Sequence, residues 1–275
     1  MEIGNNNEIK DVSQDLKLIF NISEHCFEYA IFNTIKNCFE KITSHEIDPN
    51  KDILNTEIKN IINIDPYLQK NYSKTLGTLN TKFSTFIPEV LFDDTSINHY
   101  IENTHGTIDE EYQYVKQKFT NCYAVFTVDP NLISCLKTHF KNLELKSASS
   151  VFVDYGINLN LKNTQQILVQ VNKNQFHIIL ISNGTFKFHN LFHFKNTNDF
   201  IYHVMHCMQV LEMESNDLEL HITSELEKTN ILFETLKKYI HINFMDRPSI
   251  FLYQDSIMQT SPHTHHNLFS QLICE

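Results

Sequence analysis

The chain has 275 residues, 41% of them apolar and 20% charged, with a formal net charge of -11. That composition suits a globular protein with a sizeable core, and the acidic balance excludes nucleic acid and anionic membrane as default partners, since both select clustered Lys and Arg. A lone arginine, Arg247, gives no basis for repeated bidentate phosphate recognition, and no apolar run approaches the roughly 20 residues that span a bilayer.

In chain order, residues 1–15 read as a polar, flexible leader without the apolar core of a signal peptide. "LKLIFNI", "CFEYAIFN" and "CFEKITSHEI" alternate as three strands of an antiparallel meander. Residues 48–65 carry Ile53, Leu54, Ile58, Ile61 and Ile62 at helical spacing and predict a helix ending before Pro66. "TLGTLN" and "KFSTFI" read as short strands. Pro88 opens a helix to about Ile101, because proline suits a first turn. "CYAVFTV" reads as a strand, and Asp129-Pro130 leads into the amphipathic helix "NLISCLKTHFKNL". "SSVFVDYGIN" reads as a linker or helix end.

The second half repeats the plan. "QILVQV", "FHIILIS" and "TFKFHNLFHF" form another meander, and Asn198-Asp199 caps a helix from about Phe200 to Met213. A strand "DLELHIT", a helix "LEKTNILFETLKKY" and a strand "IHINFM" follow, with 254–275 irregular before a short apolar end. Laying 19–32 over 168–181 pairs Asn21 with Gln170, Ser23 with Asn172 and Phe27 with Phe176 without a gap. The pattern predicts a duplicated α/β fold.

The stretches "LIFNISEHCFEYAIFN", "FSTFIPEVLFDD", "NCYAVFTVDPNLISCLKTHF" and "ILVQVNKNQFHIILISNGTFKFHNLFHFKNTNDFIYHVMHCM" resemble the actin-like ATPase superfold. They are similar to a bacterial family of proteins of unknown function with that fold, distantly similar to pilus-assembly and cell-division actin homologues. The resemblance implies a ribonuclease H-like duplication with halves at 16–156 and 157–275, each opening with a three-stranded antiparallel meander. In that superfold, the turn after each first strand carries an Asp and a Gly that touch phosphate and metal. Carried over, the Asp positions fall on Asn21 and Gln170 and the Gly positions on Ser23 and Asn172. Asn and Gln bring no charge to hold magnesium beside a triphosphate. A Cβ at 23 or 172 crowds the place where backbone amides approach phosphate.

The expectation is therefore a non-catalytic, actin-like binding or scaffold protein, with no cofactor. Its partner is a protein, met as a short peptide segment or by self-association. Six cysteines without a CxxC pair read as reduced thiols of a cytoplasmic protein.

Two alternatives stand beside this reading. A divergent ATPase or kinase would use Asp154, in the literal Asp-x-Gly at Asp154-Tyr155-Gly156, or another carboxylate. A metal-binding protein would draw on His189, His193, His203 and His206. Helix and loop histidines without a metal are the preferred reading of those four, because a zinc site needs three or four convergent ligands.

Overall fold

The structure is a computed structural model that describes residues 15–48, 54–159, 165–213 and 219–275. The leader expected over 1–15 lies, except for Asp15, outside the described residues.

Leu16–Ile22 (β1), Cys26–Asn33 (β2) and Cys38–Glu46 (β3) form the first antiparallel meander. Side chains alternate across it. Leu18, Phe20 and Ile22 pack with helix Leu54–Ile64 (α1) on one face, while Ile19 faces the other. Lys74–Leu79 (β4) pairs parallel with β1. Ser84–Pro88 (β5) follows, then His99–His105 (α2), Glu111–Lys116 (β6) and Cys122–Val128 (β7). β5, β7 and β6 make a small antiparallel sheet. Pro130–His139 (α3), N-capped by the Asp129 carboxylate, joins α1 over the first core. Leu143–Ser147 (β8) extends the first sheet, and Ala148–Asn158 (α4) leads towards the second.

Gln165–Val171 (β9), Gln175–Ser182 (β10) and Thr185–His193 (β11) form the second meander. Thr197–Val210 (α5), Glu219–Ser224 (β12), Ile231–Leu236 (α6) and His241–Phe244 (β13) complete its half. Leu252–Tyr253 (β14), Asp255–Met258 (α7) and His266–Ile273 (α8) end the chain. β14 pairs with β3, and Leu268 and Phe269 of α8 pack on Ile19, Ala30 and Leu76. The end of the chain thus returns to the first sheet.

The two main sheets share one plan, β3-β2-β1-β4-β8 and β11-β10-β9-β12-β13. Their first hairpins match in register, with Ile22 opposite Phe27 and Val171 opposite Phe176. Both turns close by the same bond at 2.9 Å, Ser23 N–H to Cys26 C=O and Asn172 N–H to Gln175 C=O. The duplicated α/β fold expected from the sequence is present.

Five local expectations are corrected. Pro88 ends β5 instead of opening a helix, because the ladder with β7 holds it extended; short 3-10 turns follow before α2. The cap of α5 is Asn196, which accepts from the Asp199 N–H. The second-half helix shrinks to α6 because Asn230 caps it late. "SSVFVDYGIN" is a helix, α4, with Ala148 through Gly156 all buried, and most of the tail is ordered as α7 and α8.

Gly77 of β4 sits where a Cβ would meet the buried Phe20 ring and come within 3.1 Å of Leu145 Cδ1. Gly77→Ala is expected to destabilise the fold by about 1–3 kcal/mol, read as a lower urea midpoint with unchanged slope.

Candidate functional site at the junction of the sheets

The matched hairpins place the residues singled out in the sequence at one end of each sheet. Asn21 lies opposite Glu28 across β1 and β2, and both are buried. The alternation that sends Phe20 and Phe27 into the first core turns Asn21, Glu28 and Thr78 to the face that α8 covers. Asn21 Nδ2 donates to Glu28 Oε1 at 3.2 Å, and Asn21 Oδ1 accepts from Thr78 Oγ1 at 2.9 Å. Gln271 of α8 seals the network, donating from Nε2 to Thr78 Oγ1 and to the Phe20 carbonyl at 3.1 and 3.0 Å. An aspartate at 21 would set a second carboxylate against Glu28. The amide instead supplies the donor that a buried carboxylate requires.

The other Glu28 oxygen faces the second half. Oε2 lies 3.2 Å from His265 Nδ1, and Glu225 Oε2, just beyond β12, lies 3.4 Å from the same nitrogen. The His265 N–H also donates to Glu225 Oε1 at 2.7 Å. His265 caps α8 in the left-handed region, at φ 60°. Burial alone would lower its pKa, but the hydrogen bond to Glu28 and the charges of Glu225 and Glu28 outweigh that and raise it. Desolvation at the junction and the charge of Glu28 raise the pKa of the Glu225 carboxyl, although its side chain is 41% exposed. Burial, with Glu28 and Glu225 adding to it, pushes the Cys26 thiol up to about 12. One imidazole thus joins a carboxylate of the first sheet to one of the second.

Ser23 is half-buried and closes its own turn, donating from Oγ to the Cys26 carbonyl. Gln170 is buried in register with His177 and Thr223, the counterparts of Glu28 and Thr78; its Oε1 meets no donor among the described residues. Asn172 sits half-buried in the second turn. Asp154 lies inside α4, where its carboxylate accepts from the Lys118 and Phe119 N–H groups at 2.8 and 3.0 Å. Burial raises its pKa against those two amides. Gly156 allows close packing, since a Cβ there would meet Ile179 Cδ1 at 2.5 Å. In this motif, Asp fastens the loop after β6 and Gly lets α4 approach β10.

The four histidines do not converge. His189 pairs with His177, Nε2 to Nδ1 at 3.1 Å, while His203 stacks on Phe192 and His206 on Tyr202. His193 is exposed at the end of β11. Burial lowers His177 to about 4 and His189 well below its ordinary value. Among the described residues, one trio of metal-type ligands gathers within 4.8 Å, namely Glu28, Glu225 and His265. Sequence reading noted His265 only as one of the tail histidines and missed Glu28 and Glu225. Glu28 alone carried a signal, as an acid inside a buried strand; Glu225 and His265 sit in irregular segments.

The family model described as "Protein of unknown function (DUF3822)" matches residues 5–242. No curated protein matches the chain in sequence. Among solved structures, it is similar to a Bacteroides thetaiotaomicron protein of actin-like ATPase fold and unknown function. The two are 22% identical, with a TM-score of 0.83 over 96% of this chain and 97% of that one. It is also similar to the PilM–PilN type IV pilus biogenesis complex, at 7% identity and a TM-score of 0.58 over 91% and 93% of the two chains. The fold is therefore that of the actin-like ATPases, and no helix among the described residues is long and apolar enough to cross a membrane.

Two outcomes follow from this geometry. His265→Asn keeps a residue that tolerates the left-handed cap but leaves Glu28 and Glu225 facing each other. It should cost about 3 kcal/mol, and adding Glu225→Gln should restore part of the loss in thermal unfolding. The His177–His189 pair is neutral in the fold, while the unfolded chain takes up protons below about pH 6.5. The pair's contribution to stability is therefore full above that pH and falls as pH drops towards 4, by on the order of 3 kcal/mol from His177. Urea unfolding from pH 7 to 4 measures it, and His177→Gln should flatten that slope.

Proposed function

The chain belongs to the DUF3822 family of proteins of unknown function, and we propose that it is a non-catalytic, actin-like binding or scaffold protein, not an ATPase. Asn21 carries the reading. At the position where the superfold's phosphate aspartate falls stands an amide already committed to Glu28 and Thr78. Gln170 occupies the matching position of the second half. Phosphoryl transfer rests on a metal and positive donors offsetting charge at the transferred group, and neither position offers an anionic oxygen for that metal. Asp154, the other carboxylate weighed for this role, uses its oxygens on backbone amides.

In this reading, residues 16–156 and 157–275 are two halves of a cytoplasmic protein, held together in part by Glu28, His265 and Glu225. PilM on a similar scaffold occurs in a complex with PilN, and by analogy this chain captures a short segment of a partner protein. A cavity of about 500 Å³ between β3 and α1 suits such a segment. Its wall includes Ile61, Ile64 and Tyr67, and Asp65 ties down Tyr29 and His45.

Calorimetry with MgATP and the full chain is expected to show no binding at micromolar concentrations and no phosphate release. Micromolar binding accompanied by turnover would sink the proposal.

A further inference from the structure

We propose that Glu28, Glu225 and His265 form a zinc-type dication site that joins the two halves. The distances carry the argument. Zinc bonds to imidazole nitrogen and carboxylate oxygen run about 2.0–2.1 Å, so neighbouring ligands of a tetrahedral ion stand about 3.3–3.4 Å apart. His265 Nδ1 lies 3.2 Å from Glu28 Oε2 and 3.4 Å from Glu225 Oε2. The three ligand atoms all fall within 4.8 Å of one another.

The surroundings supply an independent observation. Besides their contacts with His265 Nδ1, both carboxylates are held on the oxygen that does not face the shared centre. Asn21 Nδ2 donates to Glu28 Oε1, and the His265 N–H donates to Glu225 Oε1. Asn21, itself no ligand, holds Glu28 by its far oxygen, as outer partners aim metal-binding carboxylates. The ligands come from β2, the end of β12 and the cap of α8, so an ion here would bridge segments remote in sequence. Two carboxylates and one imidazole suit a borderline ion of zinc type better than magnesium or calcium, which favour all-oxygen shells. The ion would displace the proton from His265 Nδ1, and water would complete the fourth position.

The test titrates zinc chloride into the EDTA-treated, dialysed full chain by calorimetry, in two buffers of different ionisation enthalpy. The expected result is one site per chain with proton release. Glu225→Gln and His265→Asn should each weaken binding about tenfold or more, while a His203→Ala/His206→Ala variant binds as the parent does. No zinc binding, or affinity unchanged in both site variants, overturns the proposal. If circular dichroism shows His265→Asn unfolded, cobalt(II) spectra of the parent and Glu225→Gln decide. Intense tetrahedral bands lost in Glu225→Gln support the site; weak octahedral bands in the parent overturn it. Neither result depends on whether MgATP binds.

Discussion

A carboxylate buried in a sheet must be compensated, and Glu28 is that carboxylate. It is 4% exposed, and an uncompensated charge at such depth costs several kcal/mol. The polar groups at the junction answer this need. Asn21 gives one donor from across the hairpin, and His265 faces the other oxygen from the segment before α8. The left-handed cap at His265 places the ring there, and Glu225 meets the same ring from the second half. Asn21, which read in the sequence as a lost aspartate, is in this setting the residue type Glu28 demands.

The two halves share a backbone plan but differ in the chemistry laid on it. Opposite Asn21 stands Glu28, a charge that reaches across the junction. Opposite Gln170 stands His177, a neutral ring paired with His189 inside its own sheet. The helices are shared out with similar asymmetry. α4 packs Val151, Phe152 and Tyr155 on Leu168, Ile179 and Ile181 of the second sheet, and α8 covers the first. α8 follows the strands of the second sheet yet packs on the first, so the chain crosses back between them, and His265 lies on that return.

Much of this was legible because local pattern and burial agree in the meanders. β1, β2, β9 and β10 have a strong core on at least one face, and their apolar alternation survives in sequence. α4 was hidden for the opposite reason. Buried on nearly all sides, its "ASSVFVDYG" has no polar face and so no helical period. α8 is only 8 residues long, too short for a period to stand out from the tail around it. Pro88 misled because its fixed φ suits a helix start and an extended strand equally, and only the β7 ladder chose between them.

The junction divides along the same line. The sequence alone determined the duplicated hairpins, their gapless register, and the amide and hydroxyl character of positions 21, 23, 170 and 172. Those are nearest-neighbour properties, carried by alternation within single strands. Only the tertiary structure decided that Asn21 serves Glu28, that Asp154 fastens a loop, that His189 belongs with His177, and that Glu225 and His265 meet Glu28. Glu28 and His265 stand 237 positions apart. The contact between them exists because α8 folds back on the first sheet, and no local pattern encodes a distance closed by the packing of the whole chain.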